Sequence, residues 1–155
     1  MPRNSNTLVG VICALFLCFS PLRAETHGNM IDALATWAKK GPTDYLLVAS
    51  FSFGDCDSTL RTIVIGGEVE TSEIVDRAGV CSEFPPDSEP PLINVTNLFE
   101  IIAFYKKASL FDAKSNVSTK FDRELGYPVS FEVLDDDEVS YALEVREFRV
   151  LQDDA

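Results

Sequence analysis

The chain is expected to fold as an α+β domain, an antiparallel β-sheet of about five or six strands with two helices packed on one face. Two stretches, beginning near Asn29 and Asn97, space their apolar residues at helical intervals. Each is followed by three segments that read as strands between turn signals, giving the order α-β-β-β-α-β-β-β. Within each half the strands follow one another without a helical crossover. That favours hairpins and an antiparallel sheet with its helices segregated to one side.

The first helix rests on Met30, Ala33, Leu34 and Trp37, and Gly41-Pro42 stops it. Tyr45–Phe53 (YLLVASFSF) reads as a strand, apolar on both faces at its start and alternating later. The FGDCD run over residues 53–57 is a turn cluster. Residues 60–65 form a second strand, and Gly66-Gly67 is a hairpin signal before a third at 68–75. Residues 77–93 (RAGVCSEFPPDSEPPLI) hold four prolines and read as a loop. The second helix takes Asn97 as its cap with Glu100 reaching back. Leu98, Ile101, Ile102 and Tyr105 line its inner face, and Lys106 and Lys107 suit the dipole of its last turn.

Val117, Thr119 and Phe121 alternate with polar partners, residues 123–128 (RELGYP) turn, and residues 129–134 return as a strand. Four acids at 135–138 lead into a last strand over 139–151. Val139, Tyr141, Leu143 and Val145 share one side of it, whereas Phe148 and Val150 fall on the opposite phase. A bulge or bend is therefore expected near Arg146 and Glu147.

Residues 1–24 carry the layout of a secretory signal peptide. Arg3 gives a positive start, residues 8–19 (LVGVICALFLCF) are uncharged and too few to span a bilayer, and Ser20-Pro21 and Ala24 mark the end. The remainder, residues 25–155, is expected to be a single secreted or periplasmic domain, a monomer with no stable membrane span. Without Arg3 and Arg23 the net charge of −12 becomes −14. Such a balance repels nucleic acid and anionic lipid surfaces and favours solubility. With 46% hydrophobic residues and 11 Phe the composition is that of a globular protein.

Cys13 and Cys18 leave with the leader, so the domain keeps Cys56 and Cys81. In an oxidising compartment an even pair reads as one disulfide; two free thiols, one of them reactive, is the other reading.

The stretch FDRELGYPVSFEVLDDDEVSYALEVREF (residues 121–148) resembles the bacterial domain-of-unknown-function family 6174. Phe121-Asp122, Gly126-Tyr127-Pro128, Asp136-Asp137-Glu138 and Tyr141 stand at the places of that family's motifs. Residues 95–99 look like its capped helix start and Tyr45 through Phe51 like its first strand. The resemblance implies a small exported protein or lipoprotein without an assigned activity, so it brings no functional residues with it. Family members often carry a C-x-C pair after the first strand. Here Cys56 is followed by Asp57 and Ser58, so the pairing with Cys81 is read from this chain alone.

Candidate sites are few. Gly126-Tyr127-Pro128 is the sharpest motif: it fits a structural turn, and as a functional feature Tyr127 and Pro128 would belong to a recognition surface. Asp135, Asp136, Asp137 and Glu138 are numerous enough for Ca²⁺ but lack the alternating spacing and Gly of an EF-hand loop, and Asp55 and Asp57 read as turn residues. The one histidine, His27, follows closely on the leader, so Ser-His-Asp, Cys-His and zinc arrangements lack their parts. No glycine-rich loop opens a helix after a strand. Two N-glycosylation sequons, Asn94-Val95-Thr96 and Asn116-Val117-Ser118, matter only in a eukaryotic host.

These observations favour a non-catalytic exported domain, without a cofactor, that binds a protein or an envelope component. The alternatives are a small hydrolase working with carboxylates alone and a Ca²⁺-stabilised structural module.

Overall fold

A computed structural model of the chain describes residues 29–79, 81, 89–112 and 114–151. The expected leader, His27, residue 80 and residues 82–88 of the proline-rich stretch lie outside the described residues. Two helices and six strands run in the order α1 (Met30–Lys40), β1 (Tyr45–Phe53), β2 (Cys56–Ile65), β3 (Glu68–Gly79), α2 (Val95–Ser109), β4 (Ser115–Phe121), β5 (Pro128–Asp135) and β6 (Glu138–Val150). All six strands join one antiparallel sheet in the order β3-β2-β1-β6-β5-β4. Each half of the chain is a three-stranded meander, and the pairing of β1 with β6 fuses the halves.

Local chemistry sets the boundaries. Asn29 caps α1 by accepting from the Ile31 N–H at 3.0 Å, and the Gly41 N–H closes it on the Trp37 carbonyl at 2.7 Å. At α2 the cap stands three residues earlier than the sequence reading. Asn94 accepts from the Asn97 N–H at 3.0 Å, and the Asn97 side chain accepts from the Asn94 N–H at 2.9 Å. This is a reciprocal capping box built from two asparagines, and Glu100 is exposed outside it. Gly66 and Gly67 take φ of 61° and 84° in the β2–β3 hairpin. Asp136 and Asp137, at 50° and 68°, do the same between β5 and β6. β2 begins at Cys56, inside the expected turn cluster, and β3 continues to Gly79, into the expected loop.

The expected irregularity in β6 is present. Val48 pairs with Glu147 and Ala49 with Val145, which leaves Arg146 as the extra residue of a bulge. Phe148, opposite Leu47, thereby returns to the face that also holds Leu143 and Phe51. A further bulge at Ser140 places Val139 opposite Leu134 and Tyr141 opposite Val133, so Val139 leaves the phase of Tyr141 and is exposed.

Both helices pack on this one face. Trp37 of α1 meets Tyr45 and Phe148 edge-on, with ring centroids 5.6 and 5.9 Å apart. From α2, Phe99 stacks on Phe121, and Tyr105 lies against Phe131 and Tyr141. Leu47, Val64, Leu98, Ile102, Phe131 and Leu143 are among the fully buried side chains between the layers. The outer strand β3 is broken by bulges at Glu70 and Val75 and carries Glu68, Glu70, Glu73 and Asp76, features that blunt an exposed edge.

Cys56 and Cys81 form a disulfide. It pins the chain just past β3 to the start of β2, where Cys56 already pairs with Gly79. Replacing both cysteines by alanine is expected to lower stability by about 3 kcal/mol, from the loop the bond closes. A denaturant midpoint unchanged by the substitution would contradict this.

Gly126 (φ 83°) sits against α1, where a Cβ would collide with the Ala33 carbonyl oxygen and crowd the Thr36 side chain. Gly67 has the same backbone sign with open space around it. Gly126→Ala is therefore expected to cost more than about 2 kcal/mol, and Gly67→Ala about 1 kcal/mol. Equal losses in urea melts would show that contact with α1 is not what excludes a side chain at 126.

Candidate functional site

The face of the sheet turned away from the helices holds an open trough of about 630 Å³. Strand register builds it. Lys120, Ser130, Glu144, Ser50, Thr59 and Asp76 are successive cross-strand partners, one from each of the six strands. Two residues along, Ser118, Glu132, Ala142, Ser52, Asp57 and Ala78 form a parallel row. Because side chains alternate across a strand, both rows stand on the same face. Seven of these twelve positions hold Ser, Thr or Ala, and these short side chains leave low ground among Lys120, Glu144, Asp76, Glu132 and Asp57.

The floor is hydrogen-bonded within itself. Ser50 and Thr59 hydroxyls lie 3.0 Å apart, and the Ser52 hydroxyl donates to Asp57 Oδ1 at 2.6 Å. Arg146, thrown out of phase by its bulge, donates from Nε to Ser50 Oγ at 3.2 Å and pairs with Glu144 at 3.0 Å. Asp57, Asp76, Glu132 and Glu144 against Lys120 and Arg146 leave the lining with an excess of two negative charges. The trough thus offers hydroxyl groups and carboxylate acceptors to a polar ligand, with a cation at either side of Glu144.

Beyond the trough the same face is covered. Arg61 reaches Glu73 at 3.4 Å, Arg149 approaches Glu147 at 3.9 Å, and Leu46 is buried between its neighbours Ile63 and Arg149. On the helix side, a recess of about 200 Å³ lies among Phe51, Phe53, Cys56, Ile101, Tyr105 and Tyr141, beside the disulfide.

Tyr127 and Pro128 do not form a recognition surface: Tyr127 is 4% exposed and Pro128 fully buried. Gly126 admits the turn to α1, Tyr127 stacks on Phe148 with centroids 4.3 Å apart, and Pro128 opens β5 opposite Phe121. Asp122 organises the turn by accepting from the N–H groups of Glu124 and Leu125 at 3.0 and 2.7 Å. Burial, with the Asp122 carboxylate nearby, pushes the Tyr127 hydroxyl up to about 12.

The acids at 135–138 make the β5–β6 hairpin. Asp135 pairs with Glu138 across it, and Asp136 pairs with Lys114 at 2.9 Å. The hydroxyls of Ser140 and Ser115 hold the Asp135 carboxyl below its ordinary value. Among the described residues no group of three or more His, Cys, Asp or Glu is placed to hold a metal ion, and no helix is long and apolar enough to cross a membrane. Of the two sequons, Asn94 is engaged as the α2 cap and Asn116 is exposed on β4.

The sequence reading did not find the trough. Its residues come from all six strands, and only the pairing of β1 with β6 aligns them. No protein-family model matches the chain, and no curated protein matches it. The similarity to family 6174 accordingly rests on the quoted residues alone.

If turn geometry is what Asp137 serves, Asp137→Gly should hold or raise stability by a few tenths to about 1 kcal/mol, since glycine tolerates a φ of 68°. A loss of stability would instead point to a role for its carboxylate.

Proposed function

We propose that the protein is an exported, non-catalytic binding domain that takes a polar protein or envelope ligand across the open face of its sheet. The observation that carries this reading is the trough. Ser50, Ser52, Thr59, Ser130 and Ala142 keep it low on four neighbouring strands, and the carboxylates of Asp57, Glu132 and Glu144 stand among them. A rigid, fully paired sheet presents such groups with little ordering cost on binding. The excess negative charge suits a ligand that brings cationic or hydroxyl donors. The Cys56–Cys81 bond and the leader-like residues 1–24 are in keeping with work outside the cytosol.

The test fills the trough without touching the core. Ser52→Tyr and Ser130→Tyr place large, strand-compatible side chains on the floor. The wild-type protein is expected to enrich a partner from the envelope fraction at mild salt, and the double variant, with an unchanged melting temperature, to retain under a tenth of it. Equal capture by both proteins would remove the trough from the reading.

A further inference from the structure

The recess on the helix side stands beside two polar groups that the fold leaves without a partner. Two cross-strand rows face the helices there. One runs Arg77, Ser58, Phe51 and Leu143, and the next runs Gly79, Cys56, Phe53 and Tyr141. Ile101 and Tyr105 of α2 complete the recess. Ser58 lines it at 5% exposure, and its hydroxyl makes no hydrogen bond among the described residues. Arg77, its partner in the β2–β3 ladder, is half-buried. Its Nε is shut off from solvent and also meets no acceptor among the described residues. Buried polar groups in native structures are nearly always paired, so two unpaired ones side by side need a reason.

The rest of the recess is apolar and mostly aromatic. Phe53 meets Tyr141 with ring centroids 6.1 Å apart, and Phe53 stays 40% exposed although it lines the recess. The space amounts to about 200 Å³. A cavity of roughly 150 Å³ walled by apolar side chains takes up one benzene molecule. A single ring with a short substituent therefore suits this one.

Charge selects the substituent. Arg77 brings a cation to the edge of the recess, while the acids next to it and to Ser58 in sequence, Asp76 and Asp57, stand on the trough face. Opposed residues on neighbouring strands have Cβ atoms about 5 Å apart. One carboxylate spans two donors at that spacing, and its hydrogen bond with a guanidinium is of the strong, charge-assisted kind. A cationic or wholly apolar ligand would leave both donors unpaired.

We infer that the recess binds a small aromatic carboxylate, with the ring among Phe51, Phe53 and Tyr141 and the carboxylate on Ser58 and Arg77. The site lies on the opposite side of the sheet from the trough. The inference stands whether or not the trough binds a ligand.

The experiment uses the protein as recovered after export, with removal of residues 1–24 checked by mass. Phenylacetate, 2-phenylethanol and acetate are titrated separately while backbone amide signals are followed by NMR. Phenylacetate is expected to saturate one site with a Kd of about 1 mM or tighter, in keeping with a ligand of this size. The amides of Phe53, Ser58 and Ile101 should shift as it binds. The uncharged alcohol and the ringless acid should each bind at least tenfold more weakly. Arg77→Gln should weaken phenylacetate at least fivefold and leave the alcohol unchanged, at an unaltered melting temperature. Ser52→Tyr with Ser130→Tyr, which fills the trough, should leave phenylacetate binding as it is. Absence of saturable binding, equal affinity for the alcohol, indifference to Arg77→Gln, or shifts confined to the trough strands would overturn the inference.

Discussion

A single extra residue in β6 decides how this molecule is divided into a covered and an open side. Along β1, Tyr45, Leu47 and Phe51 all point toward the helices, as strict alternation requires. β6 is long enough to pair with the whole of β1, but Leu143 and Phe148 are five residues apart and would face opposite ways in a regular strand. The bulge at Arg146 removes the conflict. Phe148 reaches the helix side, where Trp37, Tyr45 and Tyr127 all contact it. The same step sends Arg146 to the other side, onto Ser50 and Glu144. Anchoring of α1 and the cationic element of the trough floor are two results of one backbone irregularity.

Tyr45 ties the halves of the covered side together. Its ring stacks on Phe148 at 5.1 Å and meets Trp37 edge-on, which secures α1. Its hydroxyl accepts from the Val95 N–H at 3.1 Å, satisfying a first-turn donor of α2 that no intrahelical carbonyl reaches. Burial pushes that hydroxyl up and the Val95 hydrogen bond draws it down, with burial the larger effect. Phe51, Phe99, Phe121, Phe131 and Phe148 pack with these rings on the one face, and charge is left for the other face, the edges and the turns.

Much of this architecture is legible in the residues because it depends on local alternation. Tyr45–Phe53 reads as a strand with its observed bounds, and the phase change between Val145 and Phe148 announces the bulge without any knowledge of a partner strand. The α2 cap is less determinate. Asn94 and Asn97 are both good capping residues, and the choice falls on Asn94 because Val95 is fully buried and donates to Tyr45, a tertiary contact. β2 starts early for a similar reason. Gly54-Asp55-Cys56-Asp57 has turn chemistry throughout, yet only Gly54 and Asp55 are needed once Phe53 pairs with Cys56. β3 runs on to Gly79 by pairing with β2, although its own sequence is mostly polar. The trough lies beyond such reasoning altogether. Ser50, Ser52, Ser130 and Ala142 read as the solvated side of three unrelated strands until the sheet order makes them neighbours.

A solvated sheet face needs no trough, and this one shows how the alternative looks. Over its other half, around Leu46 and Val48, long side chains lie across the strands: Arg61 toward Glu73, Arg149 toward Glu147. Those pairs cover apolar stems as well as charge. Over two successive rows the same strands carry Ser, Thr or Ala at seven of twelve positions, with charged side chains interspersed. The Ser50–Thr59 and Ser52–Asp57 hydrogen bonds tie neighbouring strands, although larger β-branched or aromatic residues would bury more cross-strand surface. Core packing does not call for the short residues, because these side chains face away from both helices. What the short residues leave is open space beside hydroxyl and carboxylate groups, and the proposed binding role rests on that space.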